Sequence, residues 1–147
     1  MVNYEVMLND VIDRLEGSIK ACTSFTSESV HVDYFRTADY GADDPICLIQ
    51  LQRDEFEAVG PHLTQHTLEF QVIVKHTGEG TKTNLKEIVL YVGEIVNKIE
   101  SDRTLGSTYV DVDGATVIGI EYSMSTPSSG VIYSAYLTLT VRAIRNA

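Results

Sequence analysis

Two histidines four residues apart, His62 and His66, have the spacing at which a helix would point two imidazoles at one metal ion. Gly60-Pro61 before them and the β-rich run after them argue against that helix. No third ligand adjoins them, and His76 stands at the far end of the same run. They are read as loop or strand-edge histidines. Asp39, Asp43 and Asp44 could hold a cation or serve acid–base chemistry, but acid catalysis needs carboxyls whose pKa values are moved by burial or close pairing. The surrounding segment, from Arg36 through Tyr40 to Pro45, has loop composition, and a solvated loop or one meeting a basic partner is the reading. Asp111-Val-Asp113-Gly114 opens like a calcium loop without the later ligands or the terminal Glu, so an Asp-Gly turn accounts for it. Gly78-Glu79-Gly80 lacks the third glycine and the Lys-Ser/Thr pair of a phosphate loop, and Glu79 would repel phosphate. There is no Gly-x-Ser-x-Gly elbow. Cys22 and Cys47 sit in no motif and are read as two reduced thiols. No catalytic residue, cofactor site or metal site emerges, and the expectation is a protein that is not an enzyme.

The elements that would carry these residues come from periodicity. Tyr4, Met7, Leu8, Val11, Ile12, Leu15 and Ile19 recur at helical spacing over 4–20. Val30, Val32 and Tyr34 alternate as a strand, Pro45 to Leu51 is a short β-rich run, and Arg53 to Leu63 reads as a polar loop broken by Gly60-Pro61. Leu68, Phe70, Val72 and Val74 mark one face of a strand over 65–77. A second helix is expected over 84–99, with Asn84 and Glu87 as a capping box. A strand over 109–124, interrupted near Asp113-Gly114, and a strand over 131–144 close the chain. The order is α-β-β-β-α-β-β. It predicts a single α+β domain over 1–147, a mainly antiparallel sheet with two amphipathic helices packed on one face. Tyr136, Thr138, Thr140 and Arg142 would point from the other face, a mixed surface suited to a partner.

Composition bounds what the domain can do. With 147 residues, 44% hydrophobic and 22% charged, it is ordinary globular material. No apolar run approaches the roughly 20 residues that span a bilayer. The N-terminus carries acids where a signal peptide carries bases, which predicts synthesis in the cytoplasm without processing. A formal charge of −10 repels phosphate backbones, so specific DNA binding is disfavoured, while passage of DNA past an acidic surface is not.

Several local features fall into a family pattern. The amphipathic second helix ends in Asp102-Arg103-Thr104-Leu105-Gly106, and the last strand finishes in Leu137-Thr138-Leu139-Thr140-Val141-Arg142. The segment from Thr67 to Ile144 thereby resembles the tail terminator (tail-completion, minor tail protein U-like) proteins of long-tailed bacteriophages, and the order of elements extends the likeness over nearly the whole chain. The resemblance implies a virion protein at the head-proximal end of the tail, made in the host cytoplasm. It implies a homo-oligomeric ring, usually a hexamer, that caps the tail tube protein, docks a head-completion or neck protein, and lets DNA through an acidic lumen. It brings no catalytic residues. Candidate ring or tube contacts are the segments holding Arg36, Asp39, Tyr40, Asp43 and Asp44, then Arg53, Glu55 and Glu57, then Glu79 and Lys82, because loops on a rigid sheet commonly carry binding. A head–tail connector subunit is the neighbouring reading. From other classes stand a small metal-dependent enzyme using His62, His66 and the Asp39–Asp44 loop, and a cytosolic adaptor binding peptides at its sheet edge.

Overall fold

A computed structural model describes residues 4–26, 28–32, 45–126 and 130–146. Its elements run α1 (Tyr4–Lys20), β1 (Val30–Val32), β2 (Ile46–Gly60), β3 (Leu63–Gly78), α2 (Lys82–Ser101), β4 (Val110–Ser125) and β5 (Val131–Asn146). One five-stranded sheet has the order β1-β2-β3-β5-β4. It is antiparallel except between β1 and β2, where Val30 to Val32 run parallel to Cys47 to Ile49. The expected mainly antiparallel α+β architecture holds, with this one parallel pair unforeseen.

The connection through α2 sets the topology. β3 and β4 run the same way, so α2 crosses the sheet between them, and β5 then returns into the slot they leave. Both helices lie on one face. Met7, Val11, Leu15 and Ile19 of α1 and Ile88, Val92, Ile95 and Ile99 of α2 are buried against Leu68, Phe70, Val72, Val74, Ala135, Leu137, Leu139 and Val141. These are the stripes that three-and-four spacing in the helices and two-residue alternation in the strands dictate. On the far face Ile46, Leu48 and Ile73 pack with Tyr136 as a small separate cluster, so that surface is less polar than its last strand suggests.

Several boundaries differ from those read in the sequence. The stretch 53–60 is not a loop; it is the second half of β2, paired with β3 from Arg53↔Glu69 to Gly60↔Leu63. Alternation is present there, with Asp54, Phe56 and Ala58 on the helix side, but a carboxylate at an inward position hides it. The second helix starts at Lys82, and its cap is Thr81. Thr81 Oγ1 accepts from Asn84 N–H and donates to Asn84 Oδ1, while Glu79 N–H donates to the same oxygen at 2.9 Å. Asn84 thus closes the box from inside the helix, where the expected capping box made it the start.

Asp113-Gly114 does not turn the chain back. β4 runs through it with a register slip between Val110 and Ala115, a bulge against β5. Gly114 is required there, because a Cβ would meet Val110 Cγ1 and come within 2.9 Å of the backbone oxygens of Arg142 and Asp111. Carbonyls of a paired strand cannot swing aside as a side-chain tip can. Gly114→Ala is expected to destabilise the fold by about 1–3 kcal/mol, the usual cost of overpacking. A lower urea midpoint with an unchanged m-value would show it; an unchanged midpoint would mean the bulge relaxes freely.

The Asp102–Gly106 turn pins this bulge to the end of α2. Asp102 Oδ1 accepts from Thr104 Oγ1 at 2.7 Å, and Ala115 N–H donates to the Arg103 carbonyl at 2.8 Å. Leu105 and Gly106 take consecutive positive φ values of 56° and 74°, a left-handed backbone that favours glycine at the second position. Ser107 Oγ donates to Asp10 Oδ2 at 2.6 Å, tying α1 to the same corner. The motif is therefore structural: it fixes where β4 enters the sheet.

Cys22 and Cys47 are both free and buried. Burial pushes both thiols up, with Glu94 adding to the effect at Cys22 and Cys22 adding to it at Cys47, so neither is an activated nucleophile. Glu94 of α2 ties down the segment after α1: its carboxylate accepts from Thr23 Oγ1 at 2.8 Å and from Ser24 N–H at 3.0 Å. Burial opposes its ionisation, but the hydrogen bonds from Ser24 and Thr23 outweigh burial and leave the carboxyl below its ordinary 4.5. A folded value below the unfolded one gives stability that is complete above the unfolded pKa and lost as pH falls through the folded value. Glu94→Gln is thus expected to lower stability at neutral pH by less than about 1 kcal/mol, discounted for exposure. Urea midpoints measured at neutral and acid pH should show that deficit closing as the carboxylate protonates.

Candidate functional site

The sequence candidates fall at two ends of the sheet. Arg36, Asp39, Tyr40, Asp43 and Asp44 lie outside the described residues. Arg53, Glu55 and Glu57 line the outer face of β2 near its hairpin with β3, and Arg53 pairs with Glu55 on the exposed surface. Glu79 sits in the turn after β3, and Lys82 opens α2. About twelve residues of β3 separate the two groups, roughly 40 Å at about 3.3 Å per residue. They do not converge on one site.

The hairpin end holds a polar cluster that sequence reading missed. His66 is not an edge histidine. It is fully buried on the inward face of β3, two residues before Leu68 in the same alternation. Its Nδ1 lies 3.0 and 3.1 Å from the two Asp54 oxygens, and Arg145 Nε donates to its Nε2 at 2.8 Å. Arginine can only donate, so Nε2 is the acceptor and the proton of the neutral ring sits on Nδ1, donated to Asp54. The ring packs between Tyr4 and Phe56, with centroids 5.4 and 5.1 Å away. Burial, then a hydrogen bond to Asp54, raise the Tyr4 phenol above its ordinary value. The cluster joins α1, β2, β3 and β5 in one network. Arg145 and Asp54 occupy both imidazole nitrogens, leaving none for a metal ion or for proton transfer to a substrate. His62 does not join it; it takes a φ of 63° in the β2–β3 turn. Among the described residues no three His, Cys, Asp or Glu side chains gather to hold a metal ion. The signal that would have found the cluster is parity: His66 shares the face of Leu68 and Phe70, and an inward histidine needs partners.

The opposite end carries an apolar groove of about 370 Å³ between the start of α2 and β4, with Lys82, Leu85, Ile88, Tyr122, Met124 and Tyr133 among its walls. Its chemistry is adhesive. Apolar side chains on two rigid elements bury surface against a partner; they do not activate a bond. No described helix is long and apolar enough to cross a membrane.

No protein-family model matches the chain, and no curated protein matches its sequence. Among solved structures, it superposes on a chain from the virion of a native gene transfer agent particle with a TM-score of 0.50 and 10% identity, covering 97% of this chain and 100% of that one. At that identity the likeness shows a shared fold from end to end. Superposition on the type 4 fimbrial biogenesis protein PilO from Pseudomonas aeruginosa reaches a TM-score of 0.32 at 9% identity, covering 99% of this chain and 72% of that one, and carries no argument.

Proposed function

We propose that the chain is a structural subunit of a phage-like virion, assembling as a homo-oligomeric ring that caps the tail tube and offers the head a docking face. The observation that carries this reading is the fold shared along both full lengths with a chain of a gene transfer agent virion. The helix-end turn and last-strand run that resemble tail terminators support it independently. So does the character of the two ends of the sheet, adhesive at the groove and saturated with internal hydrogen bonds at His66. The role is one of assembly without catalysis. Its partners are further copies of itself, the tail tube protein and a head-completion protein, with a place at the head-proximal end of the tail. A charge of −10 suits a lumen through which DNA moves without sticking.

The test is electron microscopy of particles assembled without this chain. Tails of uncontrolled length that fail to join heads, corrected by adding the purified protein, are expected. Tails of normal length that only fail to join would move the role to a connector at the neck. Normal, head-joined tails would exclude both.

A further inference from the structure

The two nitrogens of His66 do opposite things, and only the uncharged ring can do both. Arg145 of β5 donates to Nε2 at 2.8 Å, so Nε2 must offer a lone pair. Nδ1 carries the proton and faces both Asp54 oxygens of β2, at 3.0 and 3.1 Å. The charged and titratable groups set against the ring are therefore Arg145, Asp54 and the Tyr4 phenol of α1, while Phe56 of β2 closes its other flank. The imidazole is 1% exposed, so water does not stand in for either partner. A second proton would sit on Nε2 and point at the guanidinium. Two donors and two positive charges would then meet at hydrogen-bond distance away from solvent, where such repulsion is strong. On the other side the neutral bond to Asp54 would become a charge-assisted one and strengthen.

We propose that His66 is an acid-sensitive clasp: neutral, it holds the end of β5 through Arg145; protonated from solvent at Nε2, it keeps Asp54 and releases Arg145. Arg145 has no ion-pair partner among the described residues, so His66 is what anchors its head group. The part let go is short. Thr64↔Arg145 and Leu63↔Asn146 are the last two rungs between β3 and β5. One residue earlier, Ile144 N–H donates to the Tyr109 carbonyl at 2.9 Å, a bond the ring does not touch, and the loosening stops there. Exposed apolar side chains of the β2–β3 hairpin, Phe56, Val59 and Leu63, lie at this end. The surface offered there is thus ordered when His66 is neutral and loosened when it is charged. This holds whatever the chain assembles with and does not rest on the ring reading.

Nuclear magnetic resonance on the full chain tests it as pH falls from about 8 to about 5, the span in which histidines ordinarily change charge. Ring-nitrogen shifts report the state of His66. Amide exchange, corrected for its intrinsic pH dependence, reports the strand end at Thr64 and Arg145. A neutral ring protonated at Nδ1 is expected at the start. Exchange at those two amides should then rise about tenfold in step with charging of the ring, with no rise at Phe70. His66→Gln does not titrate but can still accept from Arg145, so its exchange should stay level. The clasp would be overturned by a ring that charges while Arg145 exchange stays constant, or by one that remains neutral throughout. A rise shared by Phe70, or the same step in His66→Gln, would overturn it equally.

Discussion

Phe70→Ala is expected to cost about 3–5 kcal/mol, the usual loss for emptying a buried aromatic site. Phe70 is 1% exposed and is among the largest fully buried side chains. It sits on β3, paired with Leu51 on one side and Leu139 on the other, beneath the helices. No single backbone shift fills the space, because β3 is hydrogen-bonded along both edges. Against a typical domain stability of about 5–15 kcal/mol, such a loss leaves little margin. Chemical denaturation of parent and variant gives the value directly. A loss under about 1 kcal/mol, below the range for such deletions, would mean the two layers do not pack as described.

The second large effect is expected at His66. His66→Phe keeps an aromatic ring between Tyr4 and Phe56 but removes both hydrogen bonds, leaving Asp54 and Arg145 without the partner that bridges them. Stranding buried polar groups costs about 1–3 kcal/mol. His66→Ala should cost more, since it loses the ring packing as well. The order His66→Ala worse than His66→Phe, and both worse than the parent, separates packing from hydrogen bonding. A neutral His66→Phe would mean the cluster contributes shape alone. Either substitution should also loosen the start of α1, which hydrogen exchange can read, because Tyr4 is held at this cluster.

The sequence was most legible where one periodicity ran without interruption. α1 is legible to the residue, and so are the inward faces of β3 and β5, because apolar residues recur at spacings only one element can use. It was least legible where a polar residue belonged inside. Asp54 and His66 break the alternation of β2 and β3, so half of β2 looks like loop in the sequence and a buried histidine like an edge one. They satisfy each other across two strands, a fact no local window contains. Gly114 misled for a related reason: Asp-Gly favours a turn, but here the sheet uses the missing Cβ for a bulge. The parallel β1–β2 pair depends on long-range placement. As for the site, Lys82 falls on the groove, whereas nothing in the spacing sets Leu85, Tyr122 and Met124 apart from the rest of a helix or strand. Their exposure follows from the edge position of β4, which no spacing encodes.

The most direct test of the central claim is to incubate purified protein with isolated tail tubes and follow both by light scattering and electron microscopy. A ring, six-membered by the resemblance, seated only at tube ends and halting further growth, is the predicted result. A protein that binds along tube walls, or leaves tube ends bare while remaining monomeric, would contradict it.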